Sequence, residues 1–586
     1  MFNWALYQEG LRRVRTLAIL LLMVMVLGAV IQPVSALAQH ASGLRFGWLG
    51  MDEVIRVDGF DELVMMSFAL FVGAPVLTLS LFSFLNKRNS SDVYHAIPHK
   101  RETLFISLIA SILTWVVLGM WLSTAISVTI YATSAYTVIH GDFIFGILLG
   151  MSAACLLVIS AITLAMTVTG TWLSNVIASL LILFLPRLLI DAFLLLVVER
   201  TRVVTHADFG WLSEGSRNIL IGFLTGGAGQ NNGSFDQMIM RGAPYTFVLA
   251  VVYLVIAALL FKRRPSELAG YSGSRWTQLF IRIAVTFTIT LPAIGLMVMH
   301  EELDSERFFV ILGIYLIALV GSFAYEWVTT KKIPHFAQML PGLVVVVLFN
   351  LGFILGVSTS SNVILQEIAT EQISSVTIVD LSPDFWESSY AEIQARGFEI
   401  TDEHVVQLLG ETFNENMSAL RINDVQYGWG GRRIRVTFHV EDGRSLTRSI
   451  HVTRQLQLQE WMIKNEAYRM LWLAIPENPD RVSTWDHDLT SEALHHVLDV
   501  LRVELQEVDF ARWYNLVGSF GVRGYDEGYD AKELVHPSPM VTIGEILVQG
   551  TVEGSPYDSR FPITALTPRT LALYQSYARA GVVRGE

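Results

Sequence analysis

The chain has 586 residues, 52% of them hydrophobic and 16% charged, with a mean hydropathy of +0.47; a soluble chain of this length carries roughly a quarter charged residues. The charge is unevenly placed, since residues 359–586 hold 33 acidic and 19 basic side chains, net −14, while residues 1–358 hold 20 acidic and 22 basic, net +2. These figures exclude a soluble enzyme, a disordered tail protein and a nucleic-acid binder, because no domain-sized segment is strongly basic; the single Cys155, set in an apolar run, excludes a disulfide framework and a thiolate metal site.

Residues 1–16 place Trp4, Ala5, Tyr7 and Leu11 ahead of a basic RRVR cluster, the pattern of an amphipathic helix lying on a membrane surface. Nine runs long enough to cross about 30 Å of hydrocarbon follow. They are approximately Leu17–Ala38, Leu63–Leu85, Leu104–Tyr131, Phe143–Val168, Trp172–Val198, Pro244–Phe261, Leu279–Met299, Phe308–Val328 and Leu340–Val357. The sequence therefore predicts a polytopic α-helical membrane protein. Lys and Arg resist translocation, so their distribution orients it. Arg12, Arg13, Arg15, Lys87, Arg88, Lys100, Arg101, Lys262, Arg263, Arg264, Arg275, Arg282, Lys331 and Lys332 fall on one side, 14 in all, against seven on the other. The expected topology has a cytoplasmic N-terminus and residues 359–586 outside the cell. A cleaved signal peptide ending at Ala36-Leu37-Ala38 is the competing reading of the first run, and it leaves the topology unchanged.

Between the second and third runs, the loop 86–102 carries a Ser/Asp helix-start signal at Ser90, Ser91 and Asp92, an apolar strip in Val93, Tyr94, Ala96 and Ile97 beside His95, and Pro98 to stop it. This predicts a short surface helix with basic residues at both ends; an ordinary positive loop is the plain alternative. In the fifth run, Arg187 and Asp191 lie at i and i+4 on one helical face, where an unpaired charge costs at least about 2.5 kcal/mol. They are expected to pair, either as a polar element of a dimer interface or translocation path or as a self-compensated structural pair. Pro186 beside them frees a backbone carbonyl and is expected to kink the helix. Glu326 sits near the end of the eighth run, where snorkelling is easy and a structural role is expected.

From Thr359 the composition becomes that of a folded α+β domain. A strand is predicted at Val376–Val379, a helix at Thr401–Asn414 opened by Thr401 or Asp402, a hairpin at Arg433–Val440 and Ser445–Val452, and a helix at Ser491–Leu505. His495 and His496 diverge by about 100° on that helix and make a poor metal pair. The acidic groups Asp486 with Asp488, and Asp526, Glu527 and Asp530, match no calcium loop and read as solvated surface. A phosphate loop is lacking, since Gly430-Gly431-Arg432 has neither the leading glycine spacing nor the lysine; H-E-x-x-H and G-x-S-x-G are lacking too. No metal or cofactor is expected in this chain.

The stretch Phe84–Glu102, with its NKRNSSD-x-YH-x-x-P core and following KRE, resembles the loop after the second span in bacterial ABC transporter permeases of the type-2 exporter class, and FKRRPSELAG at Phe261–Gly270 is similar to a second signature of that group, with Arg264, Ser266, Glu267 and Gly270 as its marked positions. The resemblance is clearest over residues 1–270. It implies a six-span core (residues 17–270), a coupling helix at Ser90–Pro98 that docks into a separate ATPase subunit holding ATP and Mg, and short outer re-entrant helices in 199–243, where Trp211, Leu212, Ile219, Leu220, Ile221, Phe223 and Leu224 supply apolar surface. It also implies alternating access in the bacterial plasma membrane by a dimer with a second permease copy or paralogue. Residues 271–358, with three further spans, and the domain 359–586 depart from the minimal pattern and leave the substrate open. The −14 domain suits a cationic peptide or drug-like substrate. From a different class comes the reading of a membrane-anchored envelope sensor or assembly protein whose outer domain binds a ligand without transport; a transferase on lipid-linked substrates has weaker support, since no loop presents a carboxylate or histidine constellation.

Overall fold

The computed structural model describes residues 2–45, 55–57, 65–95, 99–213, 218–225, 235–265, 269–270, 274–299, 304–330, 336–380, 398–421, 432–452, 458, 461, 464–467, 474–476, 479, 481–484, 489, 491–508, 544–552, 555–563 and 566–580. Lipid offers no partner to an unpaired backbone group, so each apolar run must close its own hydrogen bonds as a helix. Among the described residues the protein is 78% helical and has nine helices long and apolar enough to cross a membrane, in the order the sequence predicts. It is a multi-pass helical membrane protein. The chain divides into two compact units, one comprising residues 1–200 and 205–360, the other 201–204 and 361–586.

In the first unit, α1 spans Trp4–Arg45 and is followed by the helical run α2, Met65–Asn86, which loosens into a π turn over Ala69–Gly73 and tightens to 3-10 geometry over Phe82–Asn86. Then come the short α3 (Arg88–His95), α4 (Arg101–Tyr131), α5 (Gly141–Val168), α6 (Trp172–Thr201), the short α7 (Ile219–Thr225), α8 (Phe235–Arg263), α9 (Arg275–Met299), α10 (Ser305–Thr330) and α11 (Phe336–Ile364). Two three-residue strands, β1 (Ile55–Val57) and β2 (Thr137–Ile139), pair in parallel between helix ends. The apolar window of α5 is 78% buried, against 22% for α1 and α8, which makes α5 the central post of the bundle. It packs most extensively on α8, and α1 packs on α4. Both pairs use glycine to bring backbones close: a Cβ on Gly150 would lie 2.6 Å from Ile239, and one on Gly10 would lie 2.4 Å from Ser111 Oγ.

Residues 1–16 do not form a separate element. The surface helix expected there and the span expected from Leu17 are one uninterrupted helix. The reason is its support: Gly10 rests on Ser111 and Asn3 N donates to Ser107 Oγ at 3.1 Å, so α4 carries α1 through the basic cluster.

At two of the prolines within these helices, a neighbouring helix supplies the donor that the proline lacks. Pro33 cannot bond Ala29 O, which accepts instead from Ser127 Oγ of α4 at 2.9 Å. Pro186 likewise orphans Ile182 O, which accepts from Tyr253 Oη of α8 at 3.2 Å. In both cases the helix continues unbroken.

The second unit has an antiparallel sheet in the order β4-β3-β5-β6, built from β3 (Ile373–Asp380), β4 (Glu399–Ile400), β5 (Arg432–Val440) and β6 (Ser445–Val452). Its apolar face, with Val376, Val436, Phe438 and Ile450, is covered by α12 (Glu403–Arg421) through Val405, Leu409, Phe413 and Met417. Asp402, not Thr401, opens α12, its Oδ1 accepting from His404 N and Val405 N at 3.1 Å each. A second sheet, β7 (Arg481–Thr484), β8 (Gly544–Val552) and β9 (Ser555–Ile563), accompanies α13 (Ser491–Leu505) and α14 (Pro568–Ala580). Glu504 is buried and accepts from Arg569 N and Thr570 N at 2.8 and 2.9 Å, capping α14. His496 on α13 hydrogen-bonds Tyr577 on α14 at 2.7 Å, which is a packing role. Asp486, Asp488 and residues 526–530 lie outside the described residues.

Candidate functional site

A helix ends with carbonyls that have no intrahelical partner and with a partial negative charge. At the end of the bundle that carries the N-terminus, three helices finish close together, and two arginines meet their carbonyls. Arg264 is 2% exposed; its Nη2 donates to Leu85 O, in the last turn of α2, at 2.9 Å, and its Nη1 donates to Met166 O, in the last turn of α5. Arg101, the first residue of α4, donates from Nη1 to Lys262 O at 3.2 Å and to Arg264 O at 2.7 Å, capping α8. Burial pushes the Arg264 guanidinium down to about 10, which leaves it charged at neutral pH. Glu102 and Lys262 pair at 2.7 Å but are both exposed, so this bridge adds little energy of its own.

Apolar packing backs the caps. The Phe82–Phe105 and Phe105–Phe261 ring centroids lie 5.8 and 5.2 Å apart, and Arg13 of α1 sits 5.8 Å over the Phe84 ring. A polar chain closes the side: Asn175 Nδ2 donates to Asn86 Oδ1 at 2.9 Å, and Thr169 donates to Asn175 Oδ1. Gly270 N donates to Gly170 O at 3.0 Å with φ +87°, a conformation that favours glycine. Thus residues 84–102 and 261–270, far apart in sequence, are joined in one knot through Leu85, Arg101, Glu102, Lys262 and Arg264.

The short helix α3 grows directly from this knot. It starts at Arg88, two residues before the Ser90 start signal, because Lys87 breaks the 3-10 end of α2 with φ −116° and ψ 117°, and Ser91 N then donates to Lys87 O at 2.8 Å. Ser90, Ser91 and Asp92 are therefore inside the helix and not its cap. Ser91 is fully buried, Ser90 half-buried and Asp92 exposed. Val93, Tyr94 and His95 complete the helix; Ala96, Ile97, Pro98, Ser266 and Glu267 lie outside the described residues.

Arg187 and Asp191 do pair, Nη2 to Oδ1 at 2.7 Å, with Arg187 4% exposed and the Asp191 side chain 32% exposed. Sequence reasoning missed the other half of this site. Arg187 also donates to Leu212 O at 2.8 Å and to Ser213 O at 2.6 Å. Fourteen residues separate Arg187 from the end of α6 at Thr201, about 21 Å along the axis, so the following segment returns to that depth. Within it, Ile219, Leu220 and Ile221 are buried, and Ile219 N donates to Thr246 Oγ1 of α8 at 3.0 Å. Trp211 is 66% exposed, Leu212 partly so, and the side chains of Phe223 and Leu224 lie outside the described residues.

Arg282, counted above with the loop cations, lies two turns inside α9 and bonds Glu326 of α10 at 2.9 Å. One further layer joins all three additional helices: Thr290 Oγ1 donates to Asn350 Oδ1 and Asn350 Nδ2 to Tyr315 Oη, each at 3.0 Å. A polar residue such as Asn350 inside an apolar run was the available signal, since lipid forces it to find a partner. Buried Cys155 takes part in none of these sites.

Comparison with known proteins finds no matching family model, no matching curated protein and no matching solved structure.

Proposed function

We propose that the chain is the permease subunit of an ATP-driven exporter, of the ABC type-2 class its two signature stretches resemble, driven by a separate ATPase chain. One observation carries the reading: the two stretches meet in a knot from which α3 projects without a linker. A permease must turn the movement of a partner into movement of spans, which needs a stiff projection tied to several helices at once. Arg264 and Arg101 tie it to α2, α4, α5 and α8. In this reading the basic end is cytoplasmic, residues 88–98 dock the ATPase, and ATP-driven closure shifts the populations of inward- and outward-facing permease dimers. Arg187, Asp191 and the segment that returns to them gate the far half of the path, and the acidic C-terminal unit lies outside the bacterial plasma membrane and gathers cationic peptide or drug-like substrate.

The test is purification from the native membrane in mild detergent. An ATP-hydrolysing partner is expected to accompany the chain, and Asp92→Arg combined with Tyr94→Ala is expected to shed it while the chain stays folded. A chain that never carries ATPase activity removes the transport reading and returns that of a membrane-anchored envelope sensor.

A further inference from the structure

Pro33 and Pro186 each free a carbonyl to which a side chain of a neighbouring helix donates. Pro75 in α2 is accommodated differently. Its nitrogen carries no hydrogen and its ring crowds the preceding turn, and the helix widens ahead of it into the π turn at Ala69–Gly73. Ala74 N reaches back five residues to Ala69 O. In that register Leu70 O awaits the N–H of residue 75, which Pro75 does not have. Leu70 is fully buried, and among the described residues no side chain donates to its carbonyl.

A second orphan lies on α4. Trp115 stands about 21 Å along that helix from Arg101, near the middle of the span. Its Nε1–H can only donate; it is buried and meets no acceptor among the described residues. Between α1, α2 and α4 lies a cavity of about 10 Å³, whose lining includes Ala18, Met25, Ala69, Gly73, Trp115 and Gly119. A helical carbonyl is approached past the side chains three and four residues on, and for Leu70 O the first of these is Gly73, which has none to shield it. Gly73 is itself buried, yet a Cβ there would meet nothing nearer than Phe68 O at 3.9 Å. The space is too small for a lipid chain. It is about what one water molecule fills, and a buried water needs at least two polar partners.

We propose that the cavity beside Gly73 binds one water molecule, which accepts from Trp115 Nε1 and donates to Leu70 O. It does for Pro75 what Ser127 Oγ and Tyr253 Oη do for the other two prolines, with the difference that a water exchanges. Lipid offers neither group a substitute, so the water is held inside the span by both. It joins α4 to the π turn, and its exchange sets how readily α2, which leads directly into α3, bends there. The inference does not depend on transport.

Radiolytic hydroxyl-radical labelling of the full chain in lipid nanodiscs tests it, because radicals formed from a bound water oxidise the side chains beside it. Met25 lines the cavity and Met151 of α5 does not, while both are at most 3% exposed, so mass spectrometry compares the two within one chain. Met25 is expected to be oxidised at least about threefold faster than Met151. Equal rates overturn the site. Gly73→Ala puts a methyl group where the water lies, without a clash, and is expected to bring Met25 down to the rate of Met151; an unchanged Met25 rate in that folded chain also overturns the proposal. Should Gly73→Ala not fold, Trp115→Phe decides in its place. It keeps a ring but removes the donor, leaving the water one partner, and is expected to slow Met25 by about twofold or more; an unchanged rate there counts equally against the site.

Discussion

Arg187 and Arg264 are both at most 4% exposed, and both donate to two backbone carbonyls, yet only Arg187 also has a carboxylate, one turn away on its own helix. Arg264 makes no salt bridge among the described residues, and its carbonyls come from helices 98 and 179 residues away. The difference separates two ways of keeping a charge in an apolar surrounding. Local neutralisation by an i+4 partner stabilises the charge itself. Capping of helix termini instead makes the charge the fastener of other elements, because the partial negative ends of α2 and α5 supply its counter-charge. The first can be lost with local consequences, whereas the second cannot be lost without freeing several helices.

That contrast breaks most visibly at Arg264. Arg264→Ala leaves the Leu85 and Met166 carbonyls buried without donors, each costing roughly 1–3 kcal/mol. Unfolding in detergent is expected to shift by about 3 kcal/mol, with loss of ATPase association, and Arg264→Lys is expected to recover little because one ammonium group cannot span both carbonyls. An Arg264→Ala chain as stable as the native one would show that other contacts hold the knot.

At Arg187 the expected loss is smaller and reparable. Arg187→Leu leaves Asp191 unpaired mid-helix, which costs about 2.5 kcal/mol; adding Asp191→Leu is expected to return most of that stability, because the stranded charge goes with it. Function is expected not to return, since Leu212 and Ser213 have still lost their donor. On the proposed transport reading, export is therefore expected to be abolished in both chains while ATPase docking persists. Normal export by Arg187→Leu in vesicles would reduce the pair to a structural element.

The same contrast explains what the sequence discloses. Nine apolar runs, the β5–β6 hairpin and the Arg187–Asp191 pair are legible because each rests on a period or spacing within one segment. Arg264, Arg282 and the donors that replace the proline N–H groups, Ser127 and Tyr253, are not, because their partners lie 44 to 179 residues away and no local pattern marks them. The start of α3 moved for a related reason: the Ser90 signal is sound chemistry, but the 3-10 end of α2 fixes the new helix at Lys87 first. Residues 84–102 and 261–270 look unrelated in sequence beyond the resemblance each carries, and it takes the packing of α4 on α8 to show them as one site.

Arg282 lies between the two extremes and gives the mildest test. It is paired like Arg187, but its carboxylate is on another helix, and its guanidinium lies against Gly342 of α11, where a Cβ would stand 2.9 Å from Nη2. Gly342→Ala therefore has to push aside a group that Glu326 holds in place, at an expected cost of about 1 kcal/mol. In a Glu326→Gln background the guanidinium is freer to yield, so the same substitution is expected to cost less, and a double-mutant cycle on unfolding in detergent reads the difference. If the two costs are equal, Arg282 is fixed by its packing and not by its counter-charge, which would place it with Arg264 as a fastener of helices.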